Sequence, residues 1–345
     1  SFISSWSTAK SFTSILIGLA VEDGLIGSIE DSASLYIEEW SADERSSIKI
    51  KDLLDMKSGL TPMCFIFAEN GVGECQTAAG SSSGGNIVYA DDQMTKCIDR
   101  DFASDGVSYT WYMYGSAPYS QGSFVYSNCD TMVLGEILYR ATGQDLQTYA
   151  DLHLFSKIGM QAQWWRDNQG TSQVDGNYLA YCCLDATPRD FARFGQLLLN
   201  NGSWDNEQVI PSSYIDSIKN ITVDSVVTEI AGGVFSYGLK FWTISAAPQE
   251  DGSVYPPQNT LISTVGFDGQ YITIDFDNNI VVVRNGLYSP ILAVSDERKM
   301  TISASDPSQS NLVGSLPAGI ALTAPLNYSH QRLLYGVKNA LNPAQ

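Results

Sequence analysis

The stretch "SSWSTAKSFTSILIGLAVEDG", Ser4–Gly24, decides how the rest of the chain is read. Phe12, Ile15, Leu16, Leu19 and Ala20 recur at i, i+3 and i+4, so the spacing predicts a helix over residues 7–24 that Gly24 ends. On such a helix Ser7 and Lys10 share a face, with Cβ atoms about 5–6 Å apart. A serine in the first turn gains from the positive end of the helix dipole. A lysine one turn on, if buried, loses proton affinity and can serve as a base. The pair would then be a nucleophile with its own base. The plainer reading is a capping serine beside a solvated lysine, since other serines in this chain produce the S-x-x-K spacing by accident.

The chain has 345 residues, 44% of them hydrophobic and 11% aromatic, enough for a large core in one or two domains. Nineteen Lys and Arg against 38 Asp and Glu leave a formal charge of −19. With a pI near 4.3, nucleic acid and anionic membrane surfaces are poor partners, because both would be repelled. No apolar run reaches the roughly 18 residues that a membrane span requires, so no insertion is expected. The first residues do not read as a leader peptide, and the chain is expected to be mature, processed or cut.

Six cysteines (Cys64, Cys75, Cys97, Cys129, Cys182 and Cys183) contain no C-x-x-C pair, and His153 and His330 are the two histidines. A zinc site is therefore not expected. The even cysteine count, low lysine content and acidic balance lean towards a secreted or periplasmic protein with disulfides. Cys64–Cys75 flank a short loop and make the first candidate pair. Cys97–Cys129 is a second. Cys182 and Cys183 read equally as a vicinal disulfide or as two buried thiols.

Further along, "IKDLLDMK" (50–57) predicts a short helix stopped at Ser58-Gly59. Residues 61–125, rich in Gly, Ser, Asp and Tyr, read as cysteine-pinned loops of the kind that line sites. Helices are predicted over 129–141, 145–156, 188–200 and 211–219. After about residue 230, "FSYGLKFWTI", "NTLISTVGF", "QYITIDF" and "NIVVVRNG" read as three or four successive strands of an antiparallel sheet. "SHQRLLYGVKNAL" closes the chain as an amphipathic helix.

Three more stretches bear on chemistry. In "VYSNCD", Tyr126-Ser127-Asn128 opens a helix after a loop, and could place a proton relay beside a group that meets a substrate carbonyl. In "STVGFDGQYITID", a glycine-bounded strand could turn a backbone N–H towards an oxyanion. "IKDLLDMKSGL" follows the first helix with its Ser-Gly-Leu turn.

Together these stretches resemble the serine β-lactamase and penicillin-binding-protein superfamily in its class C-like branch, near the 6-aminohexanoate-dimer hydrolase and carboxylesterase group. "LLDMKSGL" is similar to the family's "LLTHTSGL", "YSN" to its Y-x-N, and "LDATPRDFARFGQLLLNNG" to its "SATARDLARFGQLLLNGG". The resemblance covers essentially the whole chain in order. It implies Ser7 as the acylated nucleophile, Lys10 as its base and Tyr126 as the proton relay to the leaving group. Asn128 would orient substrate and lysine, and the N–H groups of Ser7 and of Phe267, just after Gly266, would form the oxyanion hole. No metal or organic cofactor is implied.

Two departures qualify the resemblance. Where the family carries K-T-G or H-T-G, this chain has Thr264-Val265-Gly266, so the cation that meets a substrate carboxylate is missing. That favours an esterase or amidase over a classical β-lactamase. The family's strands ahead of the nucleophile helix also have no counterpart here. Either the chain is a piece, or another chain supplies them, which would otherwise leave an exposed edge.

Other features carry plainer readings. Gly80-Ser81-Ser82-Ser83-Gly84 matches G-x-S-x-G but lacks the flanking strand and helix, so it reads as a loop. His153 reads as a surface or interface histidine and His330 as the start of the last helix, and two histidines make a Ser-His-Asp triad a poor fit. Asp167–Asn177 reads as a polar turn rather than a calcium loop. Trp164 and Trp165 could line a cleft or simply pack. Trp111, Tyr112, Tyr114 and Tyr119 are candidate pocket walls.

The expected fold is α/β (α+β) and β-lactamase-like, an antiparallel sheet flanked by helices plus a mostly helical lobe. Residues 1–50 and 231–345 would make the sheet lobe and 51–230 the helical, loop-rich lobe, with the site between them. The expected function is a serine hydrolase cleaving an amide or ester bond of a small-molecule or peptide-like substrate. The competing reading is a non-catalytic scaffold or self-assembling extracellular protein, a homo-oligomer or one completed by a partner segment, that kept the fold.

Overall fold

Helix α1 (Ala9–Glu22) is entered through a tight 3-10 turn at Trp6–Thr8 and is buried from Ala9 to Ala20. The helix expected to be apolar on one side is thus enclosed on all sides. Its small polar residues allow this because each finds a partner. Ser11 Oγ donates to the Lys240 carbonyl (2.7 Å), Thr13 Oγ1 donates to the Ala180 carbonyl (2.7 Å), and Ser14 shares a hydrogen bond with the Tyr214 hydroxyl (2.9 Å). A buried hydroxyl left unpaired would cost about 1–3 kcal/mol. At Gly18 a Cβ would lie 2.9 Å from the Tyr214 ring, so the neighbouring helix approaches only because no side chain is there.

This computed structural model describes residues 2–63, 87, 90–103, 120–167, 175–221, 228–230, 233–244, 246–256, 261–286 and 330–341. The other helices are α2 (Ile50–Leu54), α3 (Gln93–Ile98), α4 (Asn128–Thr142), α5 (Leu146–Ala150), α6 (Ser156–Ile158), α7 (Pro188–Leu199), α8 (Ser212–Lys219) and α9 (His330–Leu341). The strands are β1 (Ile3–Ser4), β2 (Ala162–Trp164), β3 (Leu184–Ala186), β4 (Ser203–Trp204), β5 (Glu207–Gln208), β6 (Thr228–Ile230), β7 (Gly233–Gly238), β8 (Phe241–Ile244), β9 (Ala247–Pro248), β10 (Val254–Tyr255), β11 (Leu261–Gly266), β12 (Gln270–Asp275) and β13 (Ile280–Arg284). None of the described helices is long and apolar enough to cross a membrane.

The main sheet has six antiparallel strands in the order β13-β12-β11-β8-β7-β6. Alternation along the strands builds two cores. Phe241, Ile262, Ile272, Ile274, Val281 and Val283 face the cluster that holds α1 and α7. Trp242, Ile244, Leu261, Val265, Ile280 and Val282 face the one that holds Leu334 of α9. Phe12 of α1 stacks on Phe194 of α7 with centroids 3.8 Å apart, and Gly195 lets α7 settle against Ile272 and Val281. The antiparallel sheet and its flanking helices are those the sequence predicts.

Some stretches differ from their reading. Helix α3 (Gln93–Ile98) forms within residues 61–125, which read as loops. "FSYGLKFWTI" is two strands, β7 and β8, joined by a two-residue turn at Leu239-Lys240. Both turn residues are left-handed (φ 46° and 64°), the conformation that hairpin turns of this length require and that Asn-Gly usually supplies. Without that signature the turn is hidden in sequence. Tertiary hydrogen bonds hold it instead: Lys240 N–H donates to the Leu54 carbonyl (3.1 Å) and Leu239 N–H to Asp55 Oδ1 (2.9 Å).

The Cys97–Cys129 disulfide ties α3 to α4, and Cys182–Cys183 is a vicinal disulfide just before β3. The Cys64–Cys75 pairing, the Gly80–Gly84 motif and the aromatic run at 111–119 lie outside the described residues. His153 is at the surface, 3.4 Å from Asp23 and stacked on Tyr149, and His330 begins α9. Trp164 and Trp165 are buried in the core.

Candidate active site

Ser7 sits in the turn that leads into α1, half-buried, after Trp6, whose backbone is left-handed (φ 48°). The turn is fixed from two sides. Ser5 N–H donates to the Leu184 carbonyl of β3 (2.9 Å), and Leu184 N–H returns a bond to Ser5 Oγ (3.0 Å). On the other side the end of β11 passes so close that a Cβ on Gly266 would be 2.3 Å from the Ser5 carbonyl oxygen. Thr8 Oγ1 bridges to Thr264 Oγ1 (3.2 Å) and the Gln270 carbonyl (3.1 Å), and Trp6 meets the Phe267 ring edge-on at 5.2 Å. The close approach needs glycine at position 266, and it brings Phe267 to the Ser7 turn.

Lys10 Nζ donates to Ser7 Oγ at 3.0 Å and to the Tyr181 carbonyl at 2.8 Å. It lies over the Tyr126 ring, 4.9 Å from the centroid, and 5.5 Å from that of Tyr181. The lysine is 1% exposed. Burial drives its proton affinity well below the ordinary lysine value, and the charge of Lys240 lowers it further. The Tyr126 phenol also hydrogen-bonds Ser7; burial raises its pKa, which the bond to Ser7 partly offsets. Ser7, Lys10 and Tyr126, some 120 residues apart at the extremes, therefore meet at one hydroxyl.

The Tyr126 segment is held by charge. Ser127 caps α4 by accepting from the Asp130 N–H (3.3 Å). Arg100 donates to Ser127 Oγ (3.2 Å) and to Asp130 Oδ1 (3.0 Å), and Ser58 Oγ donates to the same carboxylate oxygen (3.0 Å). The Arg100–Asp130 ion pair has side chains 2% and 1% exposed. Tyr126 itself stacks on Trp242 (5.9 Å) and meets the Tyr237 ring edge-on at 6.0 Å, with Phe124 5.3 Å from Tyr237.

One predicted contact is not made. Asn128, expected to orient Lys10, forms no hydrogen bond to it, and its buried Oδ1 has no partner among the described residues. The Tyr181 carbonyl takes that acceptor position. A backbone carbonyl carries no side-chain signal, so sequence reading could not find it. Arg100, Ser58 and Asp130 were missed as well. The Ser127–Asp130 cap spacing was the available clue to one of them. Among the described residues, no three His, Cys, Asp or Glu side chains gather as a cation site.

A six-stranded antiparallel sheet over a central helix that starts at Ser7, with Lys10 and Tyr126 converging on that serine, is the arrangement of a defined family. The chain belongs to the Beta-lactamase family, whose model matches residues 4–289. Solved structures agree on the fold. A Bacillus anthracis protein assigned as a 6-aminohexanoate-dimer hydrolase superposes with a TM-score of 0.58 at 24% identity. That match covers 82% of this chain and 66% of the other, so the chain spans about two thirds of that relative. A penicillin-binding-protein homologue from Caulobacter crescentus gives 0.56 at 14% identity, covering 81% and 76%. A penicillin-binding protein from Bacillus halodurans gives 0.53 at 15%, covering 83% of each chain. Curated protein sequences returned no match.

Proposed function

We propose that this protein is a serine hydrolase that opens an ester or amide bond through an acyl-enzyme on Ser7. The observation that carries the reading is the 3.0 Å contact between Ser7 Oγ and a buried Lys10 whose proton affinity is lowered. A lysine that is a free amine at neutral pH can take the serine proton as Oγ attacks a carbonyl carbon. The oxyanion that forms is received by the N–H groups of Ser7 and Phe267, which the Gly266 approach brings to the same turn. As the tetrahedral centre collapses, the Tyr126 hydroxyl hands a proton to the leaving oxygen or nitrogen and takes in its place the proton that Lys10 received from Ser7, which restores both groups. Lys10 and Tyr126 then draw a proton from water, which attacks the acyl carbon and frees Ser7. Asn128, two residues after Tyr126 at the start of α4, would orient the substrate.

Two features support an uncharged substrate. Thr264 stands where the family's cation would be, and beside it Val265 belongs with Phe124, Tyr126, Tyr237 and Trp242 to one apolar cluster. An ester or amide with an apolar acyl group suits that wall better than a substrate carboxylate. The two disulfides and the charge of −19 support an oxidising compartment outside the cytosol.

The test is intact-mass spectrometry after exposure to a fluorophosphonate. A single adduct is expected on the parent and none on Ser7→Ala. Labelling should slow on acidification, because Lys10 must be unprotonated to act. Absence of an adduct on folded protein at every pH would overturn the reading and favour the scaffold alternative.

A further inference from the structure

Residues 179–184 run along the nucleophile helix, all of them buried, and meet it through their backbone. The Ala180 carbonyl accepts from Thr13 Oγ1 (2.7 Å) and the Tyr181 carbonyl from Lys10 Nζ (2.8 Å). Leu184 exchanges two bonds with Ser5, giving its carbonyl to the Ser5 N–H (2.9 Å) and its own N–H to Ser5 Oγ (3.0 Å). The segment thus touches the base directly and the nucleophile through Ser5, two residues ahead of Ser7. Between these two contacts lies the vicinal disulfide Cys182–Cys183. Cys183 is left-handed (φ 66°), a conformation that a residue with a side chain adopts only at a cost.

A disulfide ordinarily stabilises by closing a loop of the unfolded chain, and the gain grows with the length of that loop. The two cysteines here are adjacent in sequence, so their bond closes no such loop. What it constrains is local. The bond joins neighbouring side chains into a small ring that includes the peptide between them. The peptide units on either side of that ring are the ones that reach the site. In the unit entering it, the Tyr181 carbonyl faces Lys10 and the Cys182 N–H donates to the Leu179 carbonyl (3.0 Å). In the unit leaving it, the Cys183 carbonyl accepts from the Trp165 N–H (2.9 Å) and the Leu184 N–H faces Ser5. Because a peptide unit is planar, holding its ring end and its second hydrogen bond sets the direction of the group that faces the site.

We propose that Cys182 and Cys183, through their disulfide, are positioning residues for the Ser7–Lys10 pair: the bond holds residue 183 left-handed and so fixes the carbonyl that seats Lys10 relative to the Leu184–Ser5 contacts that seat the Ser7 turn. The inference rests on the hydrolase reading given above. Lys10 Nζ has two acceptors, Ser7 Oγ at 3.0 Å and the Tyr181 carbonyl at 2.8 Å. The carbonyl is the fixed one of the two, and it aims the amine at the hydroxyl. A displacement of about 1 Å at such a contact is enough to slow the chemistry strongly.

The experiment compares three double replacements in the full chain. Cys182→Ala/Cys183→Ala deletes the bond and leaves a side chain at the left-handed position. Cys182→Ser/Cys183→Ser deletes it with less loss of bulk, and serves where the alanine pair does not fold. Cys182→Ala/Cys183→Gly deletes it but places at 183 the residue that takes a left-handed backbone freely. Fluorophosphonate labelling of Ser7 should slow about tenfold or more in the alanine or serine pair, and return to within about threefold of the parent with glycine. Lost packing alone would give the reverse order, since glycine leaves the larger void. A glycine variant no faster than the alanine pair would therefore overturn the proposal, as would alanine and serine pairs that label like the parent. A crystal structure of the folded alanine or serine pair gives a readout independent of reaction: Lys10 Nζ should no longer reach the Tyr181 carbonyl. An intact contact there would overturn the proposal whether or not Ser7 reacts. A broken contact, in a protein whose parent never labels at Ser7, would uphold the positioning role and remove the hydrolase reading instead.

Discussion

The two walls of the site are built by different forces. On the helical side, Tyr126 and Asn128 are aimed by a buried network of Arg100, Asp130, Ser58 and Ser127, with the Cys97–Cys129 disulfide stapling α3 to α4 beside it. On the sheet side, Gly266 and Phe267 are set by a close passage of backbone against backbone, and Val265 packs against an apolar cluster. The segment of Tyr126, the proposed proton relay, is held by charge and beside a covalent bond, while the strand end that would receive an oxyanion is held by the absence of a side chain. The first wall should fail by unfolding, the second by losing its aim.

Variants separate the two modes. Arg100→Leu should have the largest effect on stability. It leaves Asp130 buried without its partner, a loss of about 3–5 kcal/mol that a urea denaturation midpoint would register. The double replacement Cys97→Ala/Cys129→Ala follows. It opens a loop with a sequence separation of 32 and should remove about 3–4 kcal/mol by the same measurement. Gly266→Ala crosses to the other wall. Its Cβ would meet the Ser5 carbonyl, so β11 must move away from the Ser7 turn. Stability should fall by about 1–3 kcal/mol, but the rate of Ser7 labelling should fall by about a hundredfold, because a shift of about 1 Å suffices for that. Tyr126→Phe should alter stability least, by less than about 1 kcal/mol, since the ring keeps its packing on Trp242 and Tyr237. Turnover of an ester should nonetheless drop by about 10²–10⁴-fold. Should Gly266→Ala lower stability and leave labelling intact, the contrast between the walls would not hold.

Much of this was legible in sequence because it is local. The apolar spacing in Phe12, Ile15, Leu16 and Leu19 marks α1, the Pro188 start marks α7, and β-branched runs mark β11 to β13. Helical spacing made the Ser7–Lys10 pair legible, but the approach of Tyr126 was legible only through resemblance, since no local rule links residue 10 to residue 126. What stayed hidden depends on tertiary fields or on the backbone. The Tyr181 carbonyl has no residue-type signature, and the partner of Arg100 lies 30 residues away. The Leu239-Lys240 turn lacks Gly and Asn because contacts to Leu54, Asp55 and Ser11 impose its conformation from outside. That Asn128 makes no hydrogen bond to Lys10 stayed hidden for the related reason that a motif names a residue type without fixing its rotamer.

The Leu239-Lys240 turn is also a place where the protein could be made more durable. Glycine at position 240 would relieve a left-handed side chain and remove an unmatched buried amine in one change. The contacts that hold the turn against α1 and α2 come from the backbone of residue 240, which glycine keeps. Durability at this turn is therefore open to design without loosening the helix that Ser7 precedes.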